Sequence, residues 1–69
     1  MFGIFVNNEL VGVKNKIESA RFSFERLVTY FKSIKKSYTN LGINLEEKVI
    51  EIVNLEDDSV IEKTTISDL

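Results

Sequence analysis

Two short runs dominated by apolar residues, 2–6 and 9–13, flank Asn7-Asn8 at the start of the chain. Asparagine tolerates positive φ, which both central residues of a two-residue type I′ turn require, so the pattern predicts a β-hairpin. That turn sets a register of Val6 opposite Glu9, Phe5 opposite Leu10, Ile4 opposite Val11, Gly3 opposite Gly12 and Phe2 opposite Val13. One face then gathers Phe2, Ile4, Val6, Val11 and Val13 and reads as the core face. The other carries Phe5 and Leu10 beside bare Gly3 and Gly12. It is apolar where a solvated face would be polar.

The period then changes from two to three and a half. Ile17, Ala20, Phe24, Leu27, Phe31, Ile34 and Tyr38 follow a 3-4-3-4-3-4 spacing, which places all seven on one helical stripe with Val28 beside it. A helix over 16–39 is predicted, with Asn15 as N-cap, Glu18 at the capping-box position and Gly42 as the C′ residue. At 1.5 Å per residue it spans roughly 36 Å, long enough to project beyond a small sheet. Beyond it, 48–55 alternates Val49, Val53 and Leu55 against Ile50 and Ile52, a strand apolar on both faces. Residues 56–59 read as a turn, 60–66 as an edge strand, and the last three residues as a frayed end. The expected class is α+β in a single domain, 1–69: ββαββ, or ββαβ with a tail, one long helix lying on one face of a small antiparallel or mixed sheet.

Composition narrows the chemistry. Sixty-nine residues without cysteine, histidine or proline leave no disulfide and none of the usual zinc, copper or haem ligands. Small domains of this kind gain stability by self-association, and a homodimer is expected. Cysteine-free composition fits a reducing compartment, so a cytoplasmic location is expected. The 2–6 run is too short for a secretion signal, and no apolar run reaches the ~20 residues of a membrane span. Without histidine, cysteine or a glycine-rich phosphate loop, no catalytic, cofactor-binding or metal residue is assigned, and the chain is expected not to be an enzyme. The turn Glu56-Asp57-Asp58 lacks the alternating ligands and central glycine of a calcium loop, and reads as solvated.

Charge divides the chain. The net charge of −2 conceals +4 over residues 1–45 and −6 over 46–69. Carboxylates recur at Glu47, Glu51, Glu56, Asp57, Asp58 and Glu62. Along one side of a sheet they could imitate DNA phosphates and compete for a cationic site; the alternative is ordinary solubilising charge that protects the strand edge. Lys32, Lys35 and Lys36, with Tyr38 nearby, offer the opposite reading of a nucleic-acid contact, but Glu18 and Glu25 dilute them and the chain is acidic overall. Phe22 points opposite the apolar stripe and Tyr30 lies on its flank. With Phe5 and Leu10 they are the candidate self-association residues.

In strand–strand–helix–strand order, size and acidic surface, the chain resembles small phage-encoded inhibitors of host proteins, of the DNA-mimic type. Some of these occupy the DNA site of a nucleoid protein or of uracil-DNA glycosylase. Phage antitoxins are similar in size and topology. The resemblance implies a host protein as partner, the host cytoplasm as location, and no direct contact with nucleic acid or membrane. It transfers no residue by motif, and the basic first half departs from a uniformly acidic mimic. Two other functions stand beside it: a nucleic-acid-binding or regulatory domain using the basic helix, and a structural assembly subunit using the apolar surface.

Overall fold

The computed structural model describes residues 1–43 and 46–66. Strands β1 (Phe2–Val6) and β2 (Glu9–Lys14) precede one helix, α1 (Ile17–Asn40), and strands β3 (Lys48–Asn54) and β4 (Ser59–Ile66) follow it. The strands form one sheet in the order β2-β1-β3-β4, antiparallel throughout. The fold is the expected ββαββ form of the α+β class. The expected fraying of the last three residues lies outside the described residues.

The hairpin turn is the predicted one. Asn7 and Asn8 take φ of 50° and 67°. Asn7 also fastens the turn to the neighbouring strand: the Val49 N–H donates to its Oδ1 at 2.8 Å, and its amide donates to the Glu47 carbonyl at 3.3 Å. Beyond the turn the register departs from expectation. Val6 and Phe5 face Glu9 and Leu10, but Ile4 faces Gly12, Gly3 faces Val13 and Phe2 faces Lys14. The extra residue is Val11, and its bulge reverses the faces of everything after it. Val13 therefore joins Phe5 and Leu10, and Gly12 lies beside Ile4. Val11 and Val13 are about half exposed, at 54% and 43%, and not core residues.

The helix lies on the face made by Phe2, Ile4, Val6, Ile50, Ile52 and Ile66. Ala20 and Phe24 are buried against the last three, with Ile17, Leu27, Val28 and Phe31 packed at the margin. These helical positions belong to the predicted stripe, whose 3-4 spacing keeps them on one side of the cylinder. The helix starts one residue later than predicted. Its N-cap is Lys16, which makes no side-chain capping bond, so the Asn15 cap is not formed. Its end matches the expectation from Gly42. That residue takes φ of 75°, its N–H donates to the Thr39 carbonyl at 3.0 Å, and the Ile43 N–H donates to the Tyr38 carbonyl at 2.8 Å. This pair of bonds is the Schellman arrangement, which satisfies carbonyls the helix itself leaves unpaired.

Packing stops near Phe31, over whose ring Lys48 Nζ sits at 5.9 Å. Lys48 begins β3, so the sheet ends at this level and the last turns of the helix overhang it. The molecule is correspondingly elongated, 42 × 18 × 15 Å. Tyr38 and Leu41 continue the stripe into the overhang, and Leu41 is 72% exposed. Among the described residues, no helix is long and apolar enough to cross a membrane.

Candidate interaction surface

The sheet has a second face with no helix on it. Strand alternation sends Gly3 and Phe5 of β1, Leu10 and Val13 of β2, Val49, Glu51 and Val53 of β3, and Val60 of β4 to this side. Gly3 forms its floor. A β-carbon there would lie 2.9 Å from Leu55 Cδ2, 2.9 Å from Phe5 Cε1 and 3.2 Å from Leu10 Cδ1. Three large side chains thus close over a position that only glycine leaves vacant. The cluster stays open to solvent above: Leu10 is 49% exposed and Val60 53%. A contiguous apolar sheet face of this kind marks an interaction site more often than a solvated wall does.

Carboxylates stand around this apolar centre. At the hairpin end Glu46, Glu47 and Glu51 line a shallow concavity of about 440 Å³ with Asn7, Asn8 and Lys63. At the far end Glu56, Asp57 and Asp58 form the exposed β3–β4 turn. Within that turn the Ser59 N–H and hydroxyl both donate to Asp57 Oδ1, at 3.0 and 2.6 Å. These bonds favour the charged form, the hydroxyl most, and hold the Asp57 carboxyl below the usual carboxylate value. At ~3.3 Å per residue, Glu47, Glu51 and the turn follow one another along about 30 Å of chain.

Glu62 is the exception among the six carboxylates singled out from the sequence. Glu51 faces Lys63, Ile52 faces Glu62 and Val53 faces Val60, so Ile61 is an extra residue in β4. In an even register Glu62 would face Glu51. The bulge turns it to the helix side instead, where its Oε2 lies 3.6 Å from Arg21 Nε. Both partners are about half exposed there, so the pair contributes little stability. The acidic residues therefore do not form one continuous face. Five border the open side of the sheet and one lies behind it.

The four candidate self-association residues are divided in the same way. Phe5 and Leu10 belong to the open sheet face. Phe22 and Tyr30 are on the opposite side of the molecule, on the outer surface of the helix, 61% and 58% exposed. Arg26 joins them, its guanidinium carbon 5.7 Å from the Phe22 ring centroid, a cation–π geometry. No single patch contains all four. The alternation 48–55 pointed to Val53 and Leu55 as members of an apolar face, but Val13 had no signal because its face depends on the bulge.

Every ionisable side chain among the described residues is at least partly exposed, and no polar side chain is buried. No group of three or more carboxylates placed to hold a metal ion occurs among the described residues. The chemistry on offer is thus that of a surface: apolar area, a carboxylate rim and, on the far side, an aromatic–arginine patch. No family model, curated protein or solved structure matches this chain.

Proposed function

We propose that this chain is a protein-binding module with no catalytic chemistry of its own, and that it engages its partner through the open face of the sheet. The observation carrying this reading is the uncovered cluster of Phe5, Leu10, Val53 and Leu55 over Gly3, bordered at both ends by carboxylates. Apolar area supplies most of the association energy, at about 25 cal/mol per Å². Like charges at the rim exclude acidic partners and draw in basic ones. The matching partner is a protein whose cationic DNA site, lined by lysine or arginine, adjoins exposed apolar surface. The array of Glu47, Glu51 and the 56–58 turn supports the finer reading of a phage-type inhibitor that sits in such a site in the host cytoplasm.

A fluorescence-anisotropy competition tests it. A labelled DNA duplex is bound to a basic nucleoid-associated protein, and this chain is titrated in. Release of the DNA is expected, and Glu51→Lys should raise the concentration required about tenfold. Residues 26–43 contain only basic charges, and their end overhangs the sheet. Direct binding of the duplex by this chain, weakening steeply with salt, would therefore replace the inhibitor with the nucleic-acid-binding alternative.

A further inference from the structure

Among the described residues, two faces of this molecule lack cover, and they lie on opposite sides of it. The open sheet face is apolar with an acidic rim: Glu47, Glu51, Glu56, Asp57 and Asp58 outnumber Lys63. The outer helix face carries exposed Phe22 and Tyr30 with Arg26 between them. There Arg26, Lys32 and Lys36 outnumber Glu18 and Glu25, while Arg21 is turned aside to Glu62. The faces are complementary to each other and not to themselves. Stacking two open sheet faces would bring two carboxylate rims together. Stacking two helix faces would do the same with the basic groups. A helix face on a sheet face pairs opposite charges and buries Phe22 and Tyr30 against Phe5 and Leu10.

The edges of the sheet offer no easier route. Both edge strands, β2 and β4, carry a bulge, at Val11 and Ile61, on either side of the paired Ile4 and Ile52. Bulges at edges interrupt the unpaired row of N–H and C=O groups that strand addition needs. The chain also exposes 4889 Å², against about 4,400 Å² expected of a folded monomer of this mass.

We infer that the occupant of the open sheet face is also the helix of a second copy of this chain, seated by its Phe22–Arg26–Tyr30 surface. This inference rests on the reading that the open face is the contact surface, and adds a self-partner that competes for it. The contact is heterologous: each copy offers a sheet face to one neighbour and a helix face to another. Such association does not stop at a dimer unless the rotation closes a ring. It differs from a simple homodimer while using all four candidate self-association residues, two from each copy. It also makes self-assembly and partner capture mutually exclusive at one surface.

The test is mixing two half-broken variants. Phe22→Asp removes the helix face and keeps the sheet face; Leu10→Asp does the reverse. Both positions are about half exposed or more, so both variants should keep the circular dichroism of the parent. Tyr30→Asp and Val60→Asp, at similarly exposed positions, serve as the second pair. In analytical ultracentrifugation the parent chain should grow beyond a dimer as concentration rises. Each variant alone should associate at least tenfold more weakly. The equimolar mixture should give a species of twice the chain mass and stop there. Three results would overturn the inference: a parent chain that stays monomeric at millimolar concentration, a mixture that remains monomeric, or Phe22→Asp that dimerises alone while Leu10→Asp does not. The last would mean sheet faces pairing symmetrically. In the anisotropy competition, Phe22→Asp should still release DNA. If it does while the mixture fails to pair, only the inference falls. If Leu10→Asp competes as well as the parent, the open-face reading itself falls.

Discussion

Ile52 and Val53 are neighbours in one strand, of one chemical type, and the structure uses them in opposite ways. Ile52 points to the helix and is fully enclosed, while Val53 points to the bare side and is only partly covered. The same contrast holds across the sheet, with Ile4 and Ile50 sealed and Phe5 and Val49 open. One face holds the fold together, and the other has apolar residues that the monomer leaves partly exposed. Hydrophobicity along the chain is therefore not a record of the core alone. Where both parities of a strand are apolar, a second layer is required, and here a single helix supplies only one.

Truncation on the two faces should expose the difference most strongly. Ile52→Ala removes a side chain with no exposed surface, and by cavity formation should cost about 2–5 kcal/mol. For a chain of 69 residues, total stability at ~0.05–0.15 kcal/mol per residue is about 3–10 kcal/mol, so this variant should lose a large part of its margin and unfold at a much lower urea concentration than the parent. Val53→Ala should cost about 1 kcal/mol or less, since its site already meets water. Urea denaturation of both variants measures the gap. Equal losses would mean that the open face is covered in solution by something as permanent as the helix, and the comparison would collapse.

How much of this was legible beforehand can be traced to particular residues. The helix was, because seven apolar residues from Ile17 to Tyr38 keep a 3-4 spacing that no strand tolerates. The hairpin turn was, because Asn7-Asn8 suits positive φ at both positions. The surplus apolar face was visible in Phe5, Leu10 and Val53. Membership of the acidic face was not. An extra residue at Ile61 leaves no distinct mark in the weak alternation of β4, yet it reverses Glu62 relative to Glu51. Val11 does the same to Val13. A bulge is set by the pairing of two strands distant in sequence, so one strand read alone cannot announce it. The Asn15 cap failed for a related reason: capping residue types occur near many helix starts, and which one caps depends on the angle at which the chain arrives from β2.

The distinction between a residue the fold needs and one it tolerates extends to the hairpin turn, at a smaller scale. Asn7 and Asn8 share positive φ, but only Asn7 bonds through its side chain to Glu47 and Val49. Asn8→Gly should stabilise by about 0.5–1 kcal/mol, since glycine meets no Cβ penalty there. Asn7→Gly gains the same relief and loses the acceptor of the Val49 N–H, a loss of about 1 kcal/mol or more. A shift of 1 kcal/mol moves the melting temperature by roughly 4–8 °C in a domain of this size, so calorimetry can rank the two. If both variants melt higher than the parent, the Asn7 bridge between β1 and β3 contributes nothing.

The smallest effect lies at the opposite end of the sheet, in the acidic rim. Asp57 is fully exposed, and its carboxyl is held below the usual carboxylate value chiefly by the Ser59 hydroxyl and then by the Ser59 backbone N–H. A folded-state pKa below the unfolded one stabilises the native chain above the unfolded value. That contribution is lost as pH falls through the folded pKa, so it disappears only in strong acid. Ser59→Ala removes the hydroxyl and leaves the backbone bond, so the Asp57 titration should move up toward 3.8 without reaching it. Carbon-detected NMR titration of the carboxyl reads this directly. Because the Ser59 hydroxyl bonds only within the turn, and Glu56 is tied to the chain start by an exposed ion pair with the Met1 amino group, the melting temperature at neutral pH should hardly change. A marked loss at pH 7 would mean that the turn braces the open face. The rim and the apolar centre would then be one mechanical unit, and not two surfaces that happen to adjoin.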